Sequence, residues 1–353
     1  MTNFYHHILQ TPVAEDQSGA VIAIGNFDGV HRGHQVVLEE ALAIARRQNR
    51  ACFALSFEPH PRTLFKPESP VFRLTDEGMK ARVLEAYGVN GLLTLPFTRD
   101  VAATTAEDFV RTILLNRAQA SHIVSGFNFH FGKNRSGSPT YMQQAGQELG
   151  FGVSIVEAKT GGGDGDGNGG DGASGGEAQV ETAAEPISSS RIRRLLGDGN
   201  VDAAAKLLGY RWLVSGEVIK GAQLGRTLDY PTANISLAEN CHLAHGIYAV
   251  RFRCGDGRLC DGVASYGRRP TFDNGPALLE TFIFDFDEDI YGQTVSVTLM
   301  DYLRAEEKFD TVEALVAQMD RDSARARTLL ANMQPISSLD EKLSFAPVKV
   351  GEG

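Results

Sequence analysis

At 353 residues, with a hydrophobic fraction of 42% and a formal charge of −10, the chain is long enough for two globular domains. That charge argues against a general nucleic-acid binder, which needs a basic surface, so an anionic small molecule would have to meet local basic clusters instead. Cys52, Cys241, Cys254 and Cys260 lack the spacing of a metal site or a disulfide framework, no apolar run is of membrane-spanning length, and the first ten residues carry no leader pattern. A cytoplasmic chain with no membrane contact, monomeric or weakly homo-oligomeric, is expected.

Val21 to Ile24 reads as a buried parallel strand, and residues 35–47 read as a helix with a broad apolar face. Further strands are expected at 52–57, 91–95, 122–125 and 152–156, with helices at 75–87, 106–115 and 141–149 between them. This alternation predicts a mainly parallel sheet covered by helices. Residues 161–176 are almost entirely Gly, Asp, Asn, Ala and Ser, which predicts a disordered insertion over 160–185. Asp164, Asp166 and Asn168 open like a calcium loop, but its twelfth position is Gly175 where a bidentate Glu is required. Helical patterning returns over 187–208, broken at Gly197-Asp198-Gly199-Asn200. Strand-like segments at 212–219, 246–253, 261–265, 278–286 and 295–303 then predict an antiparallel barrel. An amphipathic helix over 311–333 follows, and 334–353 reads as a loose tail.

The most informative stretch is Gly25-Asn26-Phe27-Asp28-Gly29-Val30-His31-Arg32-Gly33-His34, at a strand-to-helix turn. Open α/β sheets bind nucleotides there, and a helix N-terminus favours phosphate. His31 and His34, three residues apart, share a face of the first helical turn and can donate to phosphate oxygens. Gly29 and Gly33 let the backbone approach the ligand. No Walker A loop is present. Farther along, Pro59 and Pro61 should hold the loop after the second strand off helix geometry. Asn128 can hydrogen-bond adenine or ribose, while Phe127, Phe129 and Phe131 read as core packing. Ser188, Ser189 and Ser190 can cap a helix whose first turns carry Arg191, Arg193 and Arg194, together a polyphosphate clamp. In the second half, Gly225 to Asn234 resembles the Pro-Thr-Ala-Asn signature of riboflavin kinases, a resemblance that implies a hard Mg²⁺ shell completed by the Thr232 hydroxyl and the Asn234 amide oxygen.

The His31-Arg32-Gly33-His34 string resembles the HxGH signature of nucleotidyltransferases. Together with the segments at 56–61, 126–132, 187–193, 225–234, 262–272 and 279–292, it makes the chain resemble the bifunctional bacterial riboflavin kinase/FAD synthetase family. The resemblance implies an α/β nucleotidyltransferase-like Rossmann domain over 15–198, an antiparallel β-barrel kinase domain with a terminal helix over 199–335, and a flexible tail over 336–353. It implies phosphorylation of riboflavin to FMN with Mg²⁺ and ATP, then adenylylation of FMN to FAD. For adenylyl transfer it assigns Gly25, Phe27, Asp28, Gly33, Asn128, Ser188, Ser189, Ser190, Arg191 and Arg193 to ATP, with His31 and His34 catalytic. For the kinase it assigns Glu280 as the catalytic carboxylate within a partly enclosed barrel, and Lys220, Gly225, Arg226, Pro231 and Arg269 to ATP or flavin. Two alternatives stay open in the sequence: a single-activity adenylyltransferase with an impaired kinase half, and a non-catalytic flavin-binding regulatory module.

Overall fold

The computed structural model describes residues 4–157, 185–221, 230–267 and 277–347. Gly225, Arg226, Arg269, the Gly-rich insertion and its calcium-like opening lie outside the described residues.

The first half is a six-stranded parallel sheet in the order β1-β4-β3-β2-β5-β6. Its strands are β1 Tyr5–Ile8, β2 Val21–Ile24, β3 Cys52–Glu58, β4 Gly91–Pro96, β5 His122–Gly126 and β6 Gly152–Val156. The covering helices are α1 Arg32–Gln48, α2 Pro61–Phe65, α3 Glu77–Tyr87, α4 Arg99–Ala103, α5 Ala106–Asp108 and α6 Pro139–Leu149. β2 is buried along its whole length, as its unbroken apolar run requires when both faces are covered. From β2 the chain first winds outward through β3 and β4, then returns to place β5 on the other side. The β2/β5 boundary is therefore the switch point at which such sheets open a crevice beyond their strand ends.

Two local expectations are corrected. Pro61 does not keep its loop out of a helix; it opens α2, with His60 as N-cap. The first helical position tolerates proline because its N–H would be unpaired there anyway. The 106–115 helix exists, but after Asp108 it widens into a π-helix over Phe109–Arg117. β1, too short for a periodicity signal, joins the sheet edge beside β4.

Two helices, α7 Ser189–Gly197 and α8 Val201–Leu208, lead to the second half. There β7 Leu213–Ile219, β8 Thr232–Ser236, β9 Gly246–Arg253, β10 Leu259–Gly267, β11 Leu278–Ile283 and β12 Thr294–Arg304 close into a barrel in the order β10-β11-β8-β7-β12-β9. α9 Val312–Asn332 packs over β9, β10 and β12. The tail expectation fails for the described residues after α9. Ser337 caps a turn, α10 Ser338–Asp340, that continues as a wide helical turn over Glu341–Phe345. Leu339, Asp340, Leu343 and Ser344 are buried. The segment is anchored by the Asp340 carboxylate, which pairs with the buried Arg211 guanidinium and accepts from the Arg211 and Ile336 backbone N–H groups at 2.9 and 3.1 Å.

Candidate active sites

The first site forms where β2 ends. Phe27, Gly29 and Val30 all have positive φ, of 47°, 79° and 39°. A β-branched residue at positive φ is strained and persists only where its surroundings hold it. Those surroundings are polar and buried. The Asp28 carboxylate accepts from the Leu74 and Thr75 backbone N–H groups at 2.8 and 3.2 Å and pairs with the Arg193 guanidinium. The Gly29 N–H donates to the Thr75 hydroxyl at 3.1 Å. Glycine suits position 29, because φ of 79° is a conformation that side chains rarely adopt and a Cβ there would crowd Leu74 and Leu208.

The turn delivers His31 as the N-cap of α1. Its Nδ1 accepts the His34 backbone N–H at 3.3 Å, which leaves Nε2 to carry the proton of the neutral ring. The His31 and His34 rings stack with centroids 3.7 Å apart, and Phe27 meets His34 edge-on. Burial holds both imidazoles neutral: it lowers His31 to about 4, and it lowers His34 well below the ordinary value, with the charges of His31 and Lys80 adding to the effect. His34 Nδ1 is buried and has no hydrogen-bond partner among the described residues. A neutral imidazole pair donates to phosphate oxygens without shedding a proton at physiological pH.

A cavity of ≈ 1020 Å³ opens in front of the pair. Gly25, Phe27, Asp28, His31, Gly33, His34, Asn128, Ser188, Ser189, Ser190 and Arg193 all line it, drawn from the turns beyond β2 and β5, the start of α1 and the start of α7. Ser188 caps α7 by accepting the Arg191 N–H at 3.3 Å, as its sequence position predicts. The arginine clamp is rearranged. Arg193 is held by Asp28 and by the Phe72 carbonyl, and Arg191 turns to Glu185, donating to its backbone oxygen at 2.6 Å. Other cations line the cavity as well: Arg62 in the five-residue helix α2, and Lys133 and Arg135 in a single helical turn, elements too short to carry a periodic signal in the sequence.

The lining is also rich in aromatic side chains. Phe57, Phe65, Phe97, Phe109, Phe127, Phe129 and Phe131 belong to it, with Phe65 against Phe97 and Phe129 against Phe131. The packing role expected of Phe129 and Phe131 is what the structure shows. Phe127 departs from it: the side chain is 50% exposed, because residues 127–130 form a turn beyond β5 and not a strand. Sequence reasoning also passed over Lys80. Its Nζ is buried beneath the site and donates at 2.8 Å to the Ser56 hydroxyl, which in turn donates at 2.9 Å to the Asn26 carbonyl. Burial lowers the Lys80 pKa, against the opposing pull of the Glu58 and Asp28 carboxylates. A lysine in a helix ordinarily signals a solvated face, so only the fold marks this one.

The second site lies on the barrel. Asn234 on β8 stands directly opposite Glu280 on β11, and Thr232 opposite Phe282. Glu280 is half-buried. Leu279 and Ile283 join the interior core, so strand alternation turns Glu280 and Phe282 outward, where Phe282 packs in the cluster beneath α9. Asn234 is buried, and its Oδ1 accepts no hydrogen bond among the described residues. An orphaned buried amide oxygen two residues from a hydroxyl on the same strand fits a hard cation, so Thr232 and Asn234 suit Mg²⁺, with the Glu280 carboxylate on the neighbouring strand. Lys220, just past β7, holds its ammonium 5.7 Å above the Tyr291 ring, and Pro231 is exposed immediately before β8.

A histidine pair on a Rossmann-type crevice, joined to a barrel with a candidate cation site, defines a two-domain nucleotide-using transferase. Residues 13–165 match the FAD synthetase family and residues 208–330 the riboflavin kinase family. The chain is 34% identical over 330 residues to the bifunctional riboflavin kinase/FMN adenylyltransferase of Escherichia coli K12, covering 94% of this chain and 97% of that protein. It is 35% identical over 309 residues to the protein of the same description from Haemophilus influenzae, covering 88% and 94%. A solved structure described as a macrolide-efflux protein from Streptococcus pneumoniae superposes with a TM-score of 0.73 at 30% identity, covering 95% of this chain and 98% of that one. No helix among the described residues is long and apolar enough to cross a membrane. The chain belongs to the family of bifunctional riboflavin kinase/FMN adenylyltransferases.

Proposed function

We propose that residues 199–335 phosphorylate riboflavin to FMN and that residues 15–198 transfer AMP from a second ATP to FMN, releasing pyrophosphate and FAD. The observation that carries the reading is the stacked, neutral His31/His34 pair at a helix N-terminus, facing a cavity lined by both polar and aromatic side chains.

In the barrel, Glu280 accepts the proton of a ribityl hydroxyl as that oxygen attacks the γ-phosphorus of ATP, and ADP leaves. Thr232 and Asn234 would hold Mg²⁺, which when bound would neutralise charge on the phosphates. In the first domain a phosphate oxygen of FMN attacks the α-phosphorus of ATP. His31 and His34 donate to the oxygens that gain charge, and the α7 N-terminus with Arg62, Lys133 and Arg135 binds the polyphosphate. The exposed rings of Phe65 and Phe127 offer the isoalloxazine a stacking surface. Asn128 orients adenine or ribose. Both steps are displacements at phosphorus, so positioning and charge stabilisation supply the rate.

Incubating the protein with riboflavin, ATP and Mg²⁺ and separating the flavins by chromatography tests this. Both FMN and FAD are expected. His31→Ala should stop at FMN, with FAD formation down about 10²–10³-fold. Glu280→Gln should lose about 10²–10⁴-fold in FMN formation yet still convert supplied FMN to FAD. Flavin binding without conversion by the unaltered chain would support the regulatory module instead.

A further inference from the structure

We propose that Tyr210, which lies in the part of the chain matching the riboflavin kinase family, is a positioning residue for adenylyl transfer in the other domain. The inference rests on the assignment of the 25–34 turn to that reaction. Tyr210 is fully buried and its hydroxyl donates to the Gly29 carbonyl at 2.8 Å. Gly29 sits between Asp28 and Val30 in the strained turn, two residues before His31. Its N–H is already used by Thr75, so the Tyr210 bond completes the polar contacts of that residue.

Other groups from the same seam hold the same turn. The Trp212 indole donates to the Leu74 carbonyl at 2.7 Å, and the Leu74 N–H in turn donates to Asp28. Gln35 bridges the Val30 and Leu208 carbonyls at 2.9 and 2.6 Å. Arg32 donates to the Lys206 carbonyl at 2.9 Å. Leu208 packs against the space where a Gly29 side chain would stand. The positive-φ residues therefore keep their conformation because residues 206–212 over-determine it. The Tyr210 hydroxyl bonds into the first domain, away from Thr232, Asn234 and Glu280 on the barrel. Its removal leaves a buried carbonyl unpaired and lets the turn relax, displacing the His31 imidazole.

The test is Tyr210→Phe, with both reactions measured on one preparation. The kcat for FAD formation from FMN should fall by roughly 10–100-fold, the cost of misplacing a catalytic group by about an ångström. The KM values for FMN and ATP should change little, and riboflavin phosphorylation by the same molecules should stay within about twofold, which verifies folding. Trp212→Phe, which releases the Leu74 carbonyl, should repeat the selective loss. Unchanged FAD synthesis in Tyr210→Phe overturns the inference, as does a parallel fall of both activities, which marks a merely structural role. His31→Ala is run alongside: if it keeps full FAD synthesis, the assignment of the turn is wrong and the inference goes with it. If His31→Ala is inactive and Tyr210→Phe is not, only the inference falls.

Discussion

His31 does two jobs with one ring: it caps α1 through Nδ1 and leaves Nε2 for the ligand. Burial is what makes both possible, and it has a pH signature. The folded-state pKa of about 4 lies below the ordinary value of 6.5, so between these values the unfolded chain binds a proton that the folded chain refuses. Stability from the neutral ring is full above pH 6.5 and drains away as pH falls toward 4. At pH 4.5 this should amount to about 2–3 kcal/mol relative to pH 7. His31→Asn retains a capping oxygen and removes the titration. Urea unfolding at the two pH values should show a smaller loss for the variant; equal losses would refute the assignment. The pair itself was legible from its spacing on a helix start. The Lys80–Ser56–Asn26 chain beneath it was not, because its members come from α3, β3 and the turn, and nothing local marks them as neighbours.

At the scale of elements, the segment after α9 is the largest departure from the sequence reading. Its apolar positions, Leu339 and Leu343, are too few to give a helical period, yet they enter the main core. The anchor is electrostatic: Asp340 has no exposed surface and is satisfied by Arg211 and two backbone N–H groups. Asp340→Ala leaves Arg211 buried without its partner and should destabilise the protein by about 3–5 kcal/mol. A loss below about 1 kcal/mol in denaturant unfolding would show that the contact is dispensable. The same logic explains the arginines at the start of α7. Their spacing is that of a phosphate clamp, but Asp28 and Glu185 compete for them in the folded chain.

For the whole molecule, the decisive feature is that the main core does not stop at the domain boundary. One buried cluster contains Val37, Leu38 and Leu74 of the sheet domain together with Leu208, Trp212, Val250 and Leu299. Arg82 also donates to Ser296 across the seam at 2.9 Å, and Lys342 to the Ala86 carbonyl at 2.8 Å. Relative domain motion is the default when interfaces are small and polar; this one is apolar and buried. Thermal unfolding followed by calorimetry should therefore give one transition with the two halves melting together. Two separated transitions would show that the seam contributes little.

The sequence alone determined the order and type of nearly every long element, the division into a parallel sheet and an antiparallel barrel, and the place of the histidine motif at a strand-to-helix turn. Those properties depend on residues close together in the chain: an apolar period, a glycine at a turn, a serine before a helix. Tertiary structure decided which cations line the cavity of the first domain, that Phe127 is half exposed there while Phe131 is buried, and that Glu280 stands opposite Asn234 on the outer face of the barrel. It also decided that Tyr210 of one domain holds the turn of the other. Each of these is a contact between residues tens to hundreds of positions apart, and only the closing of the chain, which sets burial and pairing, brings such residues together.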